Sequence, residues 1–171
     1  VDKELDAIGS EAALSLKGKI GIANAKMAYT RYLNTFSSQR WQTLASHGAR
    51  TQRILYGSTS VKNPDYPDTM YVDNLMGANT VNTLPLDALE KFNEHGTVSD
   101  GLTNQLEKAR QELVQLAALG VNLERITQQL QDDGVTKFAD AFNELVGSIK
   151  GLRDQQQEEA ARQQPEPLLE D

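Results

Sequence analysis

The sequence predicts a helix-rich α/β domain with few strands, on three observations. Large apolar residues recur three and four positions apart over most of the chain, the spacing that stacks side chains on one face of a helix. Two short apolar runs, Arg53-Ile54-Leu55-Tyr56 and Thr80-Val81-Asn82-Thr83-Leu84, break that period and are closed by turn residues, as strands are. The composition, 39% hydrophobic, 6% aromatic and 24% charged over 171 residues, suits one domain with a real core.

Residues 2–8 form a short amphipathic helix with Leu5 and Ile8 on one side, stopped at Gly9-Ser10. A longer helix runs from Lys17 to about Phe36, its inner face made of Ile22, Ala25, Tyr29, Tyr32, Leu33 and Phe36. Small residues at Gly21, Ala23, Ala25 and Ala28 let it sit close to a neighbouring sheet. Ser37-Ser38 ends it and caps a short helix in which Trp41 and Leu44 face inward, before His47-Gly48 closes the turn. Trp41 reads as core in preference to a stacking surface for a ligand. The run ending at Tyr56 is a short buried strand. A loop over 58–76 follows, with Pro64 and Pro67 in it and Tyr66 and Tyr71 to pin it; loops of this length in compact domains usually serve a function. The strand over 80–84 stops at Pro85, and Asp87 sits in the first turn of a helix over 86–94.

The remainder is helical. Leu102, Leu106, Ala109, Leu113 and Leu116 define one stripe; Leu123, Ile126 and Leu130 a second; Val135, Phe138, Phe142, Leu145, Val146 and Ile149 a third. Each large side chain is expected to be buried, at roughly 1.5–3 kcal/mol apiece, against the body or a neighbouring helix. Past Leu152 no stripe continues and the chain reaches Pro165-Glu166-Pro167. The expected division is therefore a domain over 1–151 and an acidic Gln/Glu-rich tail over 152–171, frayed helix or disordered.

The net charge of -7 argues against nucleic acid or an anionic membrane as a partner, since either needs clustered Lys and Arg. Arg50, Arg53 and Lys62 still bracket the first strand, so an anionic metabolite stays open. With no cysteine, disulfides, thiolate catalysis and cysteine-based zinc sites are excluded. His47 and His95 are each followed by Gly, as helix C-termini explain, and Asp132-Asp133 and Glu158-Glu159 point to different sides of a helix. No metal or cofactor is expected. No apolar stretch reaches the roughly 18 residues of a membrane span and no signal-peptide layout opens the chain, so the expected compartment is the cytoplasm.

The richest chemistry lies in Gly57-Ser58-Thr59-Ser60-Val61-Lys62-Asn63-Pro64, where three hydroxyls and one lysine follow a strand. Hydroxyls donate hydrogen bonds, small residues let a ligand approach the backbone, and Lys62 brings a compact positive charge, which together suit a phosphate. A solvated turn explains the same residues. Lys62 has three readings: phosphate ligand, imine-forming amine, or exposed loop lysine. An imine-forming lysine needs burial or nearby cations to become neutral, whereas Lys62 lies among polar residues with Asp65 and Asp68 nearby.

A longer set of words resembles one family. Gly18-Lys19-Ile20-Gly21-Ile22-Ala23-Asn24-Ala25-Lys26, Ser58-Thr59-Ser60-Val61-Lys62-Asn63-Pro64, Thr69-Met70-Tyr71-Val72-Asp73, Thr80-Val81-Asn82-Thr83-Leu84-Pro85, His95-Gly96 and Gly134-Val135-Thr136-Lys137-Phe138 follow in order over residues 1 to about 150. They resemble the C-terminal half of a bacterial-type transaldolase. The resemblance implies the C-terminal part of a (β/α)8 TIM barrel, and 171 residues are short of the roughly 250 such a barrel takes. It implies transfer of a dihydroxyacetone unit between sugar phosphates, in the pentose phosphate pathway, through a lysine Schiff base. It further implies that this lysine and the acid/base carboxylates lie upstream of Val1, so that the chain is a fragment that lacks the N-terminal half of the enzyme. By position, the sugar-phosphate end falls to Ser60 and Lys62, with Ser58 beside them, and Thr59 and Asn82 on the same rim. Tyr56-Gly57, where many relatives carry Trp-Ala, and Leu84, where Met is frequent, depart from the pattern without removing a polar group.

The leading expectation is a transaldolase fragment that supplies the phosphate side of the site, with no catalytic residue of its own. The alternative is a non-enzymatic helical interaction module using residues 102–152 and the acidic tail. A third is a split enzyme completed by a separate chain.

Overall fold

The computed structural model describes residues 1–162, and the part of the expected tail beyond Arg162 lies outside them. Ten elements follow in the order α1 (Asp2–Ile8), α2 (Glu11–Leu14), α3 (Ile20–Phe36), α4 (Gln39–Ser46), β1 (Ile54–Tyr56), α5 (Met70–Asn74), β2 (Thr80–Asn82), α6 (Leu86–His95), α7 (Leu106–Ala118) and α8 (Leu123–Arg162). The architecture is α/β and helix-rich, with two parallel strands. They form two compact units, the first ending at Asn122 and the second beginning at Leu123.

Several boundaries depart from the sequence pattern for local reasons. The Ser10 hydroxyl accepts the Ala13 N–H at 3.2 Å and starts a helical turn, α2, where a simple break was expected. Residues 15–19 are turns, so the long helix begins at Ile20 and not at Lys17. The loop over 58–76 contains α5, whose first turn is fixed by the Thr69 hydroxyl donating to Asp73 at 2.7 Å.

The buried face of α3 is Ile20, Ala23, Lys26, Tyr29 and Tyr32, which is rotated from the expected one at the N-terminal end. The cause is α7, which packs along this half of α3 and draws residues 20, 23 and 26 inward. Leu33, expected inside, is exposed. At the C-terminal end an aromatic series continues the core: Tyr29 stacks on Tyr32 at 5.8 Å, Tyr32 meets Phe36 at 4.9 Å, and Trp41 presents its edge to Phe36 at 4.7 Å. Trp41 is thus half-buried by one aromatic neighbour. Leu44, expected inside with it, is exposed, and α4 buries no residue fully.

The centre of the first unit is Tyr29, Tyr32, Leu75 and Leu102, with Ile54 and Tyr56 of β1 and Tyr71 of α5 against it. Leu102 lies ahead of α7, outside the helix its stripe predicted, and is 0% exposed. Two glycines let the backbone close around it. A Cβ on Gly77 would stand 2.8 Å from the Leu102 side chain, and one on Gly101 would stand 2.6 Å from the Asn74 backbone. The Leu102 N–H then donates to the Met76 carbonyl at 3.0 Å.

The strands pair in the register Ile54↔Thr80, Leu55↔Val81, Tyr56↔Asn82. The expectation of a buried strand is not met: Leu55 is 60% exposed, because the two-stranded sheet is covered on one face only. The described part of the second unit is one continuous helix, α8, which joins the expected second and third stripes and runs on through residues 152–162. Its stripe has the spacing of one helical face, yet Val135, Phe138, Phe142, Leu145, Ile149 and Leu152 are exposed, Phe138 to 82%. Periodicity puts these side chains on a common face, but burial needs a second surface, and no described residue supplies one. Among the described residues no helix is long and apolar enough to cross a membrane, α8 included.

The packing around Leu102 yields a direct test. Leu102→Ala is expected to destabilise the chain by roughly 2–5 kcal/mol in denaturant unfolding, whereas Val98→Ala, at a position 83% exposed, should stay within about 0.5 kcal/mol. A Leu102→Ala loss no larger than that of Val98→Ala would contradict this core.

Candidate functional site

Parallel pairing brings the C-terminal ends of β1 and β2 to one rim, and the hydroxyl-rich loop starts there. Hydrogen bonds extend the ladder beyond the strands. The Thr83 N–H donates to the Tyr56 carbonyl at 3.0 Å, and the Thr59 N–H to the Thr83 carbonyl at 3.3 Å. The Thr83 hydroxyl donates to the Tyr56 carbonyl at 3.1 Å and accepts the Ser58 N–H at 2.9 Å. Ser58 takes up a left-handed backbone, φ 54°, to make this turn. Thr83 is therefore the staple of the rim, a role that nothing in its local sequence announces.

The three consecutive hydroxyls divide into different tasks. Thr59 is buried, its oxygen 2.6 Å from Asn82 Oδ1 and 3.2 Å from the Thr83 carbonyl. A hydroxyl has one hydrogen for these two acceptors, and the Asn82 amide nitrogen is buried without a partner among the described residues. Turning the amide so that its nitrogen donates to Thr59, while Thr59 donates to Thr83, satisfies both groups. Thr59 and Asn82 thus lock the strand ends together across 23 positions of sequence. Ser58 is exposed. Ser60, half-buried, accepts a hydrogen bond from Lys62 Nζ at 2.7 Å, and Lys62 is exposed.

A cavity of about 560 Å³ opens beside this rim. Its wall includes Ser58, Thr59, Ser60 and Lys62 from the loop, Ala25 from α3 and Tyr71 from α5; Asn82 is not part of it. The structure therefore brings four of the five sequence-predicted residues to one hollow and leaves Asn82 behind them. The exposure of Lys62 lacks the burial that imine chemistry demands and suits electrostatic contact with an anion. Among the described residues no group of His, Asp and Glu converges on a metal site.

The loop is held at its middle by two side-chain contacts. Tyr66 donates its hydroxyl to Asp2 at 2.6 Å, and that hydrogen bond, with burial, pushes the phenol up to about 12. Its ring lies over Gly18, where a Cβ would come within 3.1 Å. Two residues beyond Tyr66, Asp68 lies 2.8 Å from His95 Nε2. The hydrogen bond from His95 holds the Asp68 carboxyl below its ordinary range, and the same bond raises His95. The Asp68 and His95 partnership spans 27 positions and has no local signature.

The two shifts set a pH window. The raised histidine contributes fully below its unfolded value of 6.5 and is lost as pH rises through the folded one. The lowered carboxylate contributes above 3.8 and is lost as pH falls through its folded value. The contact is thus complete between those two limits. An NMR titration of His95 should have its midpoint above 6.5 in the wild type and a lower one in Asp68→Asn; an unchanged midpoint would refute the ion pair.

Comparison with known proteins matches the sequence of this chain to one family. The model of the transaldolase/fructose-6-phosphate aldolase family covers residues 1–149. The transaldolase of Frankia alni is 44% identical over 150 residues, 87% of this chain and 40% of that protein. That of Arthrobacter sp. is 43% identical over 152 residues, 88% and 41% of the two chains. That of Neisseria meningitidis serogroup C is 46% identical over 134 residues, 78% and 38%. The chain thus spans about 40% of the length of the curated relatives it matches. A family match over residues 1–149, carried by relatives at 43–46% identity, makes this chain a member of the transaldolase/fructose-6-phosphate aldolase family.

Proposed function

We propose that this chain forms the phosphate-side wall of a transaldolase that transfers a dihydroxyacetone unit between sugar phosphates through a Schiff base, in the pentose phosphate pathway. The observation that carries the proposal is the pairing of Ser60 and Lys62 at 2.7 Å, on a cavity at the shared ends of two parallel strands, in a chain whose relatives are transaldolases. Lys62 supplies charge and Ser60 a hydroxyl to the phosphate group, with Ser58 alongside; Thr59 and Asn82 hold the rim in place. Phosphate contacts of this kind anchor and orient the substrate while another amine forms the covalent bond. In this proposal the imine lysine belongs to polypeptide beyond this chain.

Two features of the fold support an incomplete barrel. Each strand has a single neighbour among the described residues, which leaves an open edge on either side. The apolar stripe of α8 is uncovered, a surface of the kind that further polypeptide buries. A helical interaction module would use the same stripe, but family membership favours the enzymatic role.

The test pairs this chain with the part of the Frankia alni transaldolase that lies outside its match. Activity should appear on mixing, and Lys62→Ala should raise KM for the sugar phosphate about tenfold or more, in keeping with the roughly 1.5–3 kcal/mol of a charged hydrogen bond. Borohydride reduction with fructose 6-phosphate should leave the mass of this chain unchanged. A reduced adduct on Lys62, or an unaltered KM in Lys62→Ala, would overturn the assignment.

A further inference from the structure

Lys26 is the one buried charged side chain among the described residues, 6% exposed. It lies on the face of α3 turned toward α7, away from the rim that Ala25 lines. Its Nζ donates to the Asn104 carbonyl at 2.8 Å, just ahead of the first turn of α7. That bond occupies one of three N–H groups. A buried ammonium with donors left over must find water or an anion for them.

A cavity of about 120 Å³ meets Lys26 at this place, and its other polar walls are Lys19, Lys108, Asn74, Gln105 and Glu112. Three lysines face one carboxylate, and the N-terminal end of α7 adds positive potential. The wall carboxylate does not compensate the burial. Desolvation lowers the Lys26 amine, Lys108 adds to the effect, and the opposing influence of Glu112 leaves it below its ordinary value. The volume has room for a few waters or a single tetrahedral oxyanion.

We propose that the cavity between α3 and α7 binds a tetrahedral oxyanion of phosphate size, gripped by Lys26 and Lys108, at a site separate from the Ser60 and Lys62 rim. The anion fills the donors that Asn104 leaves and offsets the surplus of lysine charge. By bridging the two helices, it stabilises the folded chain.

The whole chain is titrated with inorganic phosphate at constant ionic strength, balanced with chloride, and followed by amide NMR and thermal unfolding. Saturable shifts are expected at Lys26, Gln105 and Lys108, with a rise in Tm that chloride does not reproduce. Lys108→Met, at an exposed position that folding tolerates, should weaken the apparent affinity fivefold or more, and Lys26→Met should abolish it. Lys62→Ala should leave these shifts in place, which separates this site from the rim whether or not the rim binds sugar phosphate. Linear, unsaturating shifts, an equal effect of chloride, or full affinity in Lys108→Met would each overturn the proposal.

Discussion

Packing of Leu102 against Tyr29 is the constraint on which the first unit depends. It joins the segment ahead of α7 to the middle of α3, and with Leu75 it gathers the residues after α5 onto the same centre. The approach is possible because Gly77 and Gly101 present no side chain where Leu102 and the Asn74 backbone lie. The Tyr29 hydroxyl then donates to the Ala78 carbonyl at 3.0 Å, which fixes the turn into β2. The sheet is too small to stand alone, and two strands of three residues owe their position to this aromatic and aliphatic base.

From that base the rim acquires its order. Thr83 and Thr59 carry the ladder past the ends of the strands, so the loop leaves the sheet in one direction. Tyr66 and Asp68 then tie its far side to α1 and α6. Between these anchors Ser60 and Lys62 face a hollow, with no helix or strand of their own to hold them. Hydroxyls of one chemical type thus take two settings: those of Thr59 and Thr83 bond backbone carbonyls and hold the rim, and those of Ser58 and Ser60 line the cavity.

Two reversals of the usual partition mark the rest of the molecule. A lysine is buried in the α3 and α7 pair, and a row of large apolar side chains on α8 is exposed. Both are energetically unfavourable as isolated features. Within the first unit, the Asn104 carbonyl, just ahead of α7, offsets part of the cost of burying Lys26. On α8, the described residues offer no such compensation.

Sequence alone determined the helix-rich α/β class, both strands to within two residues, and the loop that carries Ser58, Ser60 and Lys62. These follow from local physics: apolar period, capping hydroxyls, and Pro and Gly at the breaks. Tertiary structure decided which face of α3 is inside, because α7 and not α3 selects residues 20, 23 and 26. It also decided that the Thr59 hydroxyl is tied into the strand ends while Ser60 bonds Lys62 at the cavity wall, since the difference lies in Asn82 and Thr83, more than twenty positions away. The exposure of Leu55, Leu44 and the α8 stripe has the same origin. Periodicity states which side chains share a face, and only the surface brought opposite that face determines whether water is excluded from it.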